Sequence, residues 1–286
     1  MKIKLLLSTQ RSGSHFLKSY IENNFSRAVC SGAVLRSPGA LADQYPALPG
    51  HPEISHFWPW YERAVLARKI SLMPDRRMEA LHVYLQELLD LVKPKDLIVD
   101  VKYNSLRCLS GFENKDDGTH DFVSFIIQHE IPVLHLIRRN VLRMRVSLLL
   151  AQHTGVWHRY HQRAADEALP KLHIDPQMLL NNIHTMVKLH RDFRQRFAGF
   201  PLYEAVHYEE FIKEPGFPHP GPHHLALSRF MEEVPTQPAN LDLPYKKTAP
   251  ENPGEVVENW DEVVRLIRAT EHAWMLPASV IAASTA

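Results

Sequence analysis

Short apolar runs alternate with helical stripes along this chain. Ile3–Leu7 is an apolar run ahead of a Ser/Gly-rich turn and predicts a buried strand, with a helix over Ser14–Asn23 after it. Residues 27–60 carry many Pro, Gly and His without a period and predict irregular structure, a lid or acceptor-binding segment. Met78, Leu81, Leu85, Leu88 and Val92 recur at helical spacing, and Pro94 ends that helix. Leu97–Val101 predicts a second strand, 112–119 a polar turn, Phe122–His129 a helix and Pro132–Ile137 a third strand. Leu142, Val146, Leu149 and Leu150 form the next stripe. Asp175-Pro176 is a helix start, with Asp as cap and Pro in the first turn, and Leu179, Ile183, Met186, His190, Phe193 and Phe197 continue it. Leu202–Val206 predicts a fourth strand, 215–224 a loop, and Val256, Val257, Trp260, Val263, Val264 and Ile267 a final amphipathic helix. Strands alternating with helices predict an α/β fold: a single domain over 1–276 with a central parallel sheet flanked by helices, then a flexible tail over 277–286.

Composition narrows this. A chain of 286 residues buries a core without disulfides or a structural metal. Its two cysteines, Cys30 and Cys108, lie far apart and form neither a disulfide framework nor a metal-type CxxC pair. The net charge of +1 gives no global field for nucleic acid or an anionic membrane, so any anion site must be local. The apolar run at the N-terminus is too short for a signal sequence or a membrane span, which predicts a soluble cytoplasmic protein. Homodimer formation is left open.

In parallel sheets, ligands bind beyond the carboxyl ends of the strands. After the first strand comes Ser8-Thr9-Gln10-Arg11-Ser12-Gly13-Ser14-His15-Phe16-Leu17. A short Gly/Ser loop opening a helix aims backbone amides and the helix N-terminus at one point. Arg11 adds a full charge, and Ser12 and Ser14 add hydroxyls, which together make a phosphate cradle. The loop lacks the Walker pattern GxxxxGK[ST]. The plainer alternative is a strand–helix turn with a surface arginine. After the third strand comes Arg138-Arg139-Asn140-Val141-Leu142-Arg143-Met144-Arg145-Val146-Ser147, where Arg139 and Ser147, about two turns along, could grip one anion. A solvated basic helix face is the plainer alternative there.

Together these segments resemble the PAPS-dependent sulfotransferases, in particular the bacterial nodulation- and carbohydrate-type branch. That family's 5′-phosphosulfate loop reads [KR]-S-G-[ST]-[ST]-hydrophobic, and Arg11-Ser12-Gly13-Ser14-His15-Phe16 is similar, with His15 where the family has Ser or Thr. Its 3′-phosphate motif reads Arg-[DN]-Pro with a Ser eight residues after the Arg. Arg139-Asn140 and Ser147 match, with Val141 in place of Pro. Val206-His207-Tyr208-Glu209-Glu210-Phe211 resembles a family strand-to-helix junction. Pro244-Tyr245-Lys246-Lys247-Thr248 followed by Glu258-Asn259-Trp260 resembles its C-terminal basic segment and helix. The resemblance runs from about residue 3 to residue 272 and implies the P-loop-kinase-like sulfotransferase fold.

It also implies the chemistry: PAPS (3′-phosphoadenosine-5′-phosphosulfate) as donor, PAP as product, no metal, and in-line sulfuryl transfer to a hydroxyl, amine or guanidinium nitrogen of a small or carbohydrate acceptor. PAPS is made in the bacterial cytoplasm, which suits the expected location. Arg11, Ser12, Gly13, Ser14, His15 and Phe16 would hold the phosphosulfate, and Arg139, Ser147 and Lys247 the rest of the nucleotide. Arg11, His15 and Lys102 would serve the reaction itself. Many relatives carry a His in a Lys-Thr-His segment after the second strand, whereas this chain has Lys102-Tyr103-Asn104-Ser105 with Asn104 at that position. Lys102 either reaches the donor or is a strand-end lysine with its head in water. Acceptor candidates are His51 and His56 in the irregular segment, Trp58 in the run Phe57-Trp58-Pro59-Trp60-Tyr61, and Tyr103. Ordinary packing is the plainer reading of those aromatics. His153, His158 and His161, and His219, His223 and His224, lack HExxH or related metal spacing and read as surface clusters. Two other functions stand beside the transferase: a kinase-like phosphotransferase, and a nucleotide-binding protein without catalysis.

Overall fold

The computed structural model describes residues 1–35, 47–51, 54–67, 69, 76–106, 109, 119–157, 159–160, 169–216, 219–235, 245–246 and 250–282. In chain order the elements are β1 (Ile3–Ser8), α1 (Ser14–Asn24), β2 (Ala28–Ala33), α2 (Phe57–Leu66), α3 (Arg77–Val92), β3 (Asp96–Lys102), α4 (Tyr103–Leu106) and α5 (Thr119–Gln128). There follow β4 (Val133–Ile137), α6 (Val141–Thr154), β5 (Arg159–Tyr160), α7 (Pro176–Arg196), β6 (Tyr203–His207), α8 (Tyr208–Phe211) and α9 (Pro222–Met231). The chain closes with β7 (Tyr245–Lys246), α10 (Trp260–Arg268) and α11 (Ala278–Ala282). Met1–Ile137 with Arg196–Leu241 forms one compact unit, and Arg138–Gln195 with Asp242–Ala286 a second.

The first unit holds a five-stranded, all-parallel sheet of order β2-β3-β1-β4-β6. The expected α/β class with a central parallel sheet is therefore observed. β1 and β3 are buried at every position, as a sheet covered on both faces requires. One face presents Leu6, Ile98, Leu134, Leu136 and Val206, against which α1 and α9 pack through Leu17, Tyr20, Ile21, Leu227 and Phe230. Leu5, Leu7, Val99 and Val101 alternate with these and are buried as well, and α3 packs against β1 and β3. From β1 the chain runs outward to β2, and from β4 it runs the other way to β6. The sheet thus has its topological switch point between β1 and β4, and the loop after β1 opens there.

Four elements depart from the pattern reading. β2 lies inside the segment read as irregular, and α2 begins in it at Phe57. Ala-Val-Cys-Ser-Gly-Ala is too short and too polar to register as an apolar run. α9 starts at Pro222 inside the 215–224 stretch, with Pro in the first turn and Gly221 before it. α11 occupies part of the segment read as a tail, and Arg268 donates to the carbonyl of Val280. The 112–118 part of the polar turn lies outside the described residues.

In the second unit Val141, Leu142, Val146 and Leu150 of α6, Leu179 and Ile183 of α7, and Val263, Val264 and Ile267 of α10 share one core. Asp175 Oδ1 accepts from the amides of Gln177 and Met178, as its capping role requires. Val256 and Val257 precede α10 rather than belonging to it, and Val257 bridges to Leu172. Asn259 holds Ile174 from both sides: Oδ1 accepts from its amide at 3.0 Å and Nδ2 donates to its carbonyl at 2.7 Å. Among the described residues no helix is long and apolar enough to cross a membrane.

Candidate functional site

At the carboxyl end of β1 the chain turns sharply. Arg11 (φ 62°) and Gly13 (φ 93°) both adopt left-handed backbone, and Gly13 leads directly into α1, where its carbonyl accepts from the Leu17 amide. For arginine this conformation costs about 1 kcal/mol, and such strain concentrates at ligand-holding turns. Gly13 is needed twice over. Its φ suits glycine, and an added Cβ would lie 2.4 Å from Cε2 of Tyr208. Tyr208, the first residue of α8, thus closes on the loop backbone, and its ring meets that of Phe16 edge-on. Arg11, on this turn, and His15, in the first turn of α1, are half-buried.

The hydroxyls of the loop are engaged within the protein. Ser12 is fully buried and donates to the carbonyl of Thr9 at 2.8 Å, so it shapes the turn instead of facing outward. Ser14 accepts from Lys102 Nζ at 2.6 Å, which leaves its own proton for another acceptor. Lys102 also donates to Ser8 Oγ at 2.8 Å and pairs with Asp100 Oδ1 at 2.8 Å. Lys102 is therefore a buried ammonium directly beneath the loop and not a strand-end lysine reaching for water. Asp100 is shared. Its other oxygen lies 3.1 Å from Lys18 Nζ, which also donates to the carbonyl of Ser31, while Ser31 Oγ accepts from the Asp100 amide. Burial works against ionising Asp100, but Lys102 and Lys18 outweigh it and hold its carboxyl down to about 2. Two ammonium groups thus flank the Asp100 carboxylate under the turn.

That buried network was only partly legible. Asp100 and Lys102 sit two apart in β3, which places both on one face. Lys18 comes from α1, and Ser31 comes from β2, which pairs with β3.

Tyr103 is buried, and its hydroxyl bonds to Nε2 of His135. His135 is fully buried on β4 and meets the Tyr203 hydroxyl through Nδ1 at 2.7 Å. A neutral imidazole between two phenols donates to one and accepts from the other. Of the acceptor candidates, His56 is buried at the start of α2 and His51 is half-buried. The aromatic run packs α2 on α3: Phe57 and Trp60 meet Tyr84, and Trp60 Nε1 donates to Glu87 at 2.7 Å. Trp58 lies against Phe57 and Tyr61, with the Arg77 guanidinium 6.0 Å above its ring. The plainer reading of these aromatics as packing thus has direct geometric support.

In the second unit, Asn140 caps α6: its Oδ1 accepts from the Arg143 amide and its Nδ2 donates to the carbonyl of Met275. Arg139 is exposed, with its guanidinium 5.8 Å over the Trp274 ring, and Ser147 is buried on α6. Arg145 is half-buried and its Nε has no hydrogen-bond partner among the described residues; burial lowers its pKa. Lys247 lies outside the described residues. No family model matches this sequence, and no curated protein matches it.

Proposed function

We propose that this chain transfers a sulfuryl group from PAPS to a hydroxyl or nitrogen of a small acceptor. The observation that carries the reading is the turn Arg11–Ser14 at the carboxyl end of β1, strained at Arg11 and underlain by the buried Lys102 ammonium. An anion at the mouth of α1 meets backbone amides, the helix N-terminus and the Ser14 hydroxyl that the buried Lys102 ammonium holds in place. These groups fit a doubly charged phosphosulfate.

In sulfuryl transfer, negative charge grows on the 5′-phosphate as its bridging S–O bond breaks, the acceptor's oxygen or nitrogen bonds to sulfur, and the acceptor's proton passes to solvent. Groups already aimed at that charge lower the barrier without reorganising. Arg11 supplies a planar pair of donors, and Lys102 keeps Ser14 oriented as a donor. His15, the second residue of α1, contacts the transferred group. The assignment of the 3′-phosphate to Arg139 and Ser147 rests on the resemblance of their segment.

The test uses the full chain, sulfur-labelled PAPS and a panel of sugars, phenols, amines and guanidines, with PAP binding followed by calorimetry in parallel. Label appearing in an acceptor supports the transferase. Tight PAP binding without transfer to any acceptor replaces it with a nucleotide-binding protein. Absence of PAP binding overturns the reading altogether.

A further inference from the structure

Beyond the nucleotide reading, and independent of it, we propose that His207, Glu210 and His223 form a binding site for a divalent transition-metal ion of the zinc class, with one coordination position open. Each offers one ligand atom, and these atoms lie within 4.8 Å of one another. Three elements of the first unit supply them: His207 ends β6, Glu210 lies in the turn α8, and His223 opens α9. All three are half-buried, which leaves the site reachable from water.

The spacing suits a small tetrahedral ion. Bonds of about 2.0–2.2 Å at a tetrahedral angle put neighbouring ligand atoms roughly 3.3 Å apart. His223 Nε2 and Glu210 Oε2 are 3.2 Å apart. The rings of His207 and His223 have centroids 5.5 Å apart, and one ligand atom of His207 lies within 4.8 Å of those of the other two.

The second observation is the support behind His223. A ligating histidine usually gives its other ring N–H to a carboxylate, which fixes the tautomer and makes the ligating nitrogen more basic. Here His223 Nδ1 lies 2.6 Å from Glu214 Oε1, which leaves Nε2 directed at Glu210. Glu214 is itself held, because its Oε2 accepts from the His223 amide at 2.9 Å. Gly221 makes room for it: a Cβ there would lie 2.5 Å from Glu214 Oε2. A carboxylate positioned this carefully behind one imidazole is the arrangement of a metal site. The other candidate cluster among the described residues, His184, Glu271 and His272, shows no such backing carboxylate, and two of its three members are exposed.

Two imidazoles and one carboxylate match zinc and its neighbours better than magnesium or calcium, which prefer all-oxygen sites. Three protein ligands leave a fourth position for water or a ligand oxygen.

The experiment is calorimetric titration of the metal-free full chain with Zn2+, paired with the visible spectrum of the Co2+ form. The expected result is one ion per chain in a four-coordinate Co2+ spectrum. Binding should be lost in His223→Ala, unchanged in His184→Ala, and weakened 10–100-fold in Glu214→Gln. Glu214→Gln keeps the side chain's shape, so it reads the site even if His223→Ala folds poorly. Overturning results are no binding tighter than about micromolar by calorimetry, a six-coordinate spectrum, loss of binding in His184→Ala, or no effect of Glu214→Gln. In the first case Glu210 and Glu214 would serve only to pair with the imidazole.

Discussion

Lys102 donates to Ser14 Oγ at 2.6 Å and so fastens the end of β3 to the first residue of α1. The same ammonium bonds Ser8 Oγ and pairs with Asp100, and all of these groups are buried. Removing one partner of a buried pair leaves the other uncompensated. Lys102→Met should destabilise the chain by about 3 kcal/mol in urea unfolding. The double variant Lys102→Met with Asp100→Asn should lose less than the two single losses combined, by at least about 1 kcal/mol. Strict additivity would mean that the two side chains are not coupled.

The pH dependence has a definite sign. Asp100 is held at about 2, below its usual value of 3.8, because Lys102 and Lys18 outweigh the burial that opposes ionisation. A depressed carboxyl contributes stability above its unfolded pKa and loses it as pH falls through the folded value. The contribution is therefore complete at neutral pH and disappears between about pH 4 and pH 2, amounting to roughly 2 kcal/mol. Comparing the protein with Asp100→Asn isolates it from Asp96, another depressed carboxyl, whose opposing burial is outweighed by its bond to Lys4. The stability gap between the two chains should stay constant from pH 5 to 8 and narrow below pH 4. A gap that widens in acid would reverse the assignment.

Gly13→Ala meets two separate obstacles, a φ of 93° and a Cβ 2.4 Å from the Tyr208 ring. The expected loss is about 2 kcal/mol or more. Adding Tyr208→Ala relieves the contact but not the backbone strain. Relative to Tyr208→Ala alone, Gly13→Ala should then cost only about 1 kcal/mol. Thermal unfolding of the four chains separates the two effects, and an undiminished cost would place all of it in the backbone.

The strands that were legible, β1, β3, β4 and β6, are those whose apolar runs are long enough to stand out from their surroundings. β2 was not legible, because Val29 and Cys30 are flanked by alanine, serine and glycine and the strand joins the sheet by pairing with β3. The turn Arg11–Ser14 could be found because glycine and serine between a strand and a helix mark a close approach of backbone. What lies beneath it could not, because Lys18, Ser31 and Asp100 meet only after three elements assemble. Burial of charge is invisible to hydrophobic pattern: Lys4 reads as an interruption of an apolar run, yet it is fully buried against Asp96 and the carbonyl of Met231. The cluster His207, Glu210 and His223 has the same origin, since His223 is brought to the other two by the fold rather than by motif spacing.

Cys30 tests whether β2 stays closed. The thiol is buried, and its pKa is pushed well above the ordinary value, by burial first and by Glu22 second. Alkylation needs the thiolate and access to it. In the folded protein at neutral pH the Cys30 peptide should remain unlabelled by iodoacetamide for hours, and in urea it should label within minutes. Mass spectrometry of the digested chain reads this directly. Rapid native labelling would show that β2 opens well below the global unfolding free energy.

If the chain transfers sulfuryl groups, its two arginine segments should fail differently. Arg11 would act where charge develops as the S–O bond breaks, an interaction strongest in the transition state, so its removal should lower kcat. Arg139 would grip a phosphate that is equally charged before, during and after transfer, so its removal should raise the KM for donor and leave kcat nearly intact. Losing one charge-assisted contact of this kind is worth about 1.5–3 kcal/mol, or roughly 10- to 100-fold. Arg11→Ala should therefore lower kcat by about that factor with PAP affinity changed much less, and Arg139→Ala should weaken PAP binding by a similar factor. Steady-state rates at saturating acceptor, together with PAP titration of each variant, distinguish the two. Unchanged PAP affinity in Arg139→Ala would remove the 3′-phosphate from that residue, and unchanged kcat in Arg11→Ala would remove the leaving phosphate from the turn after β1.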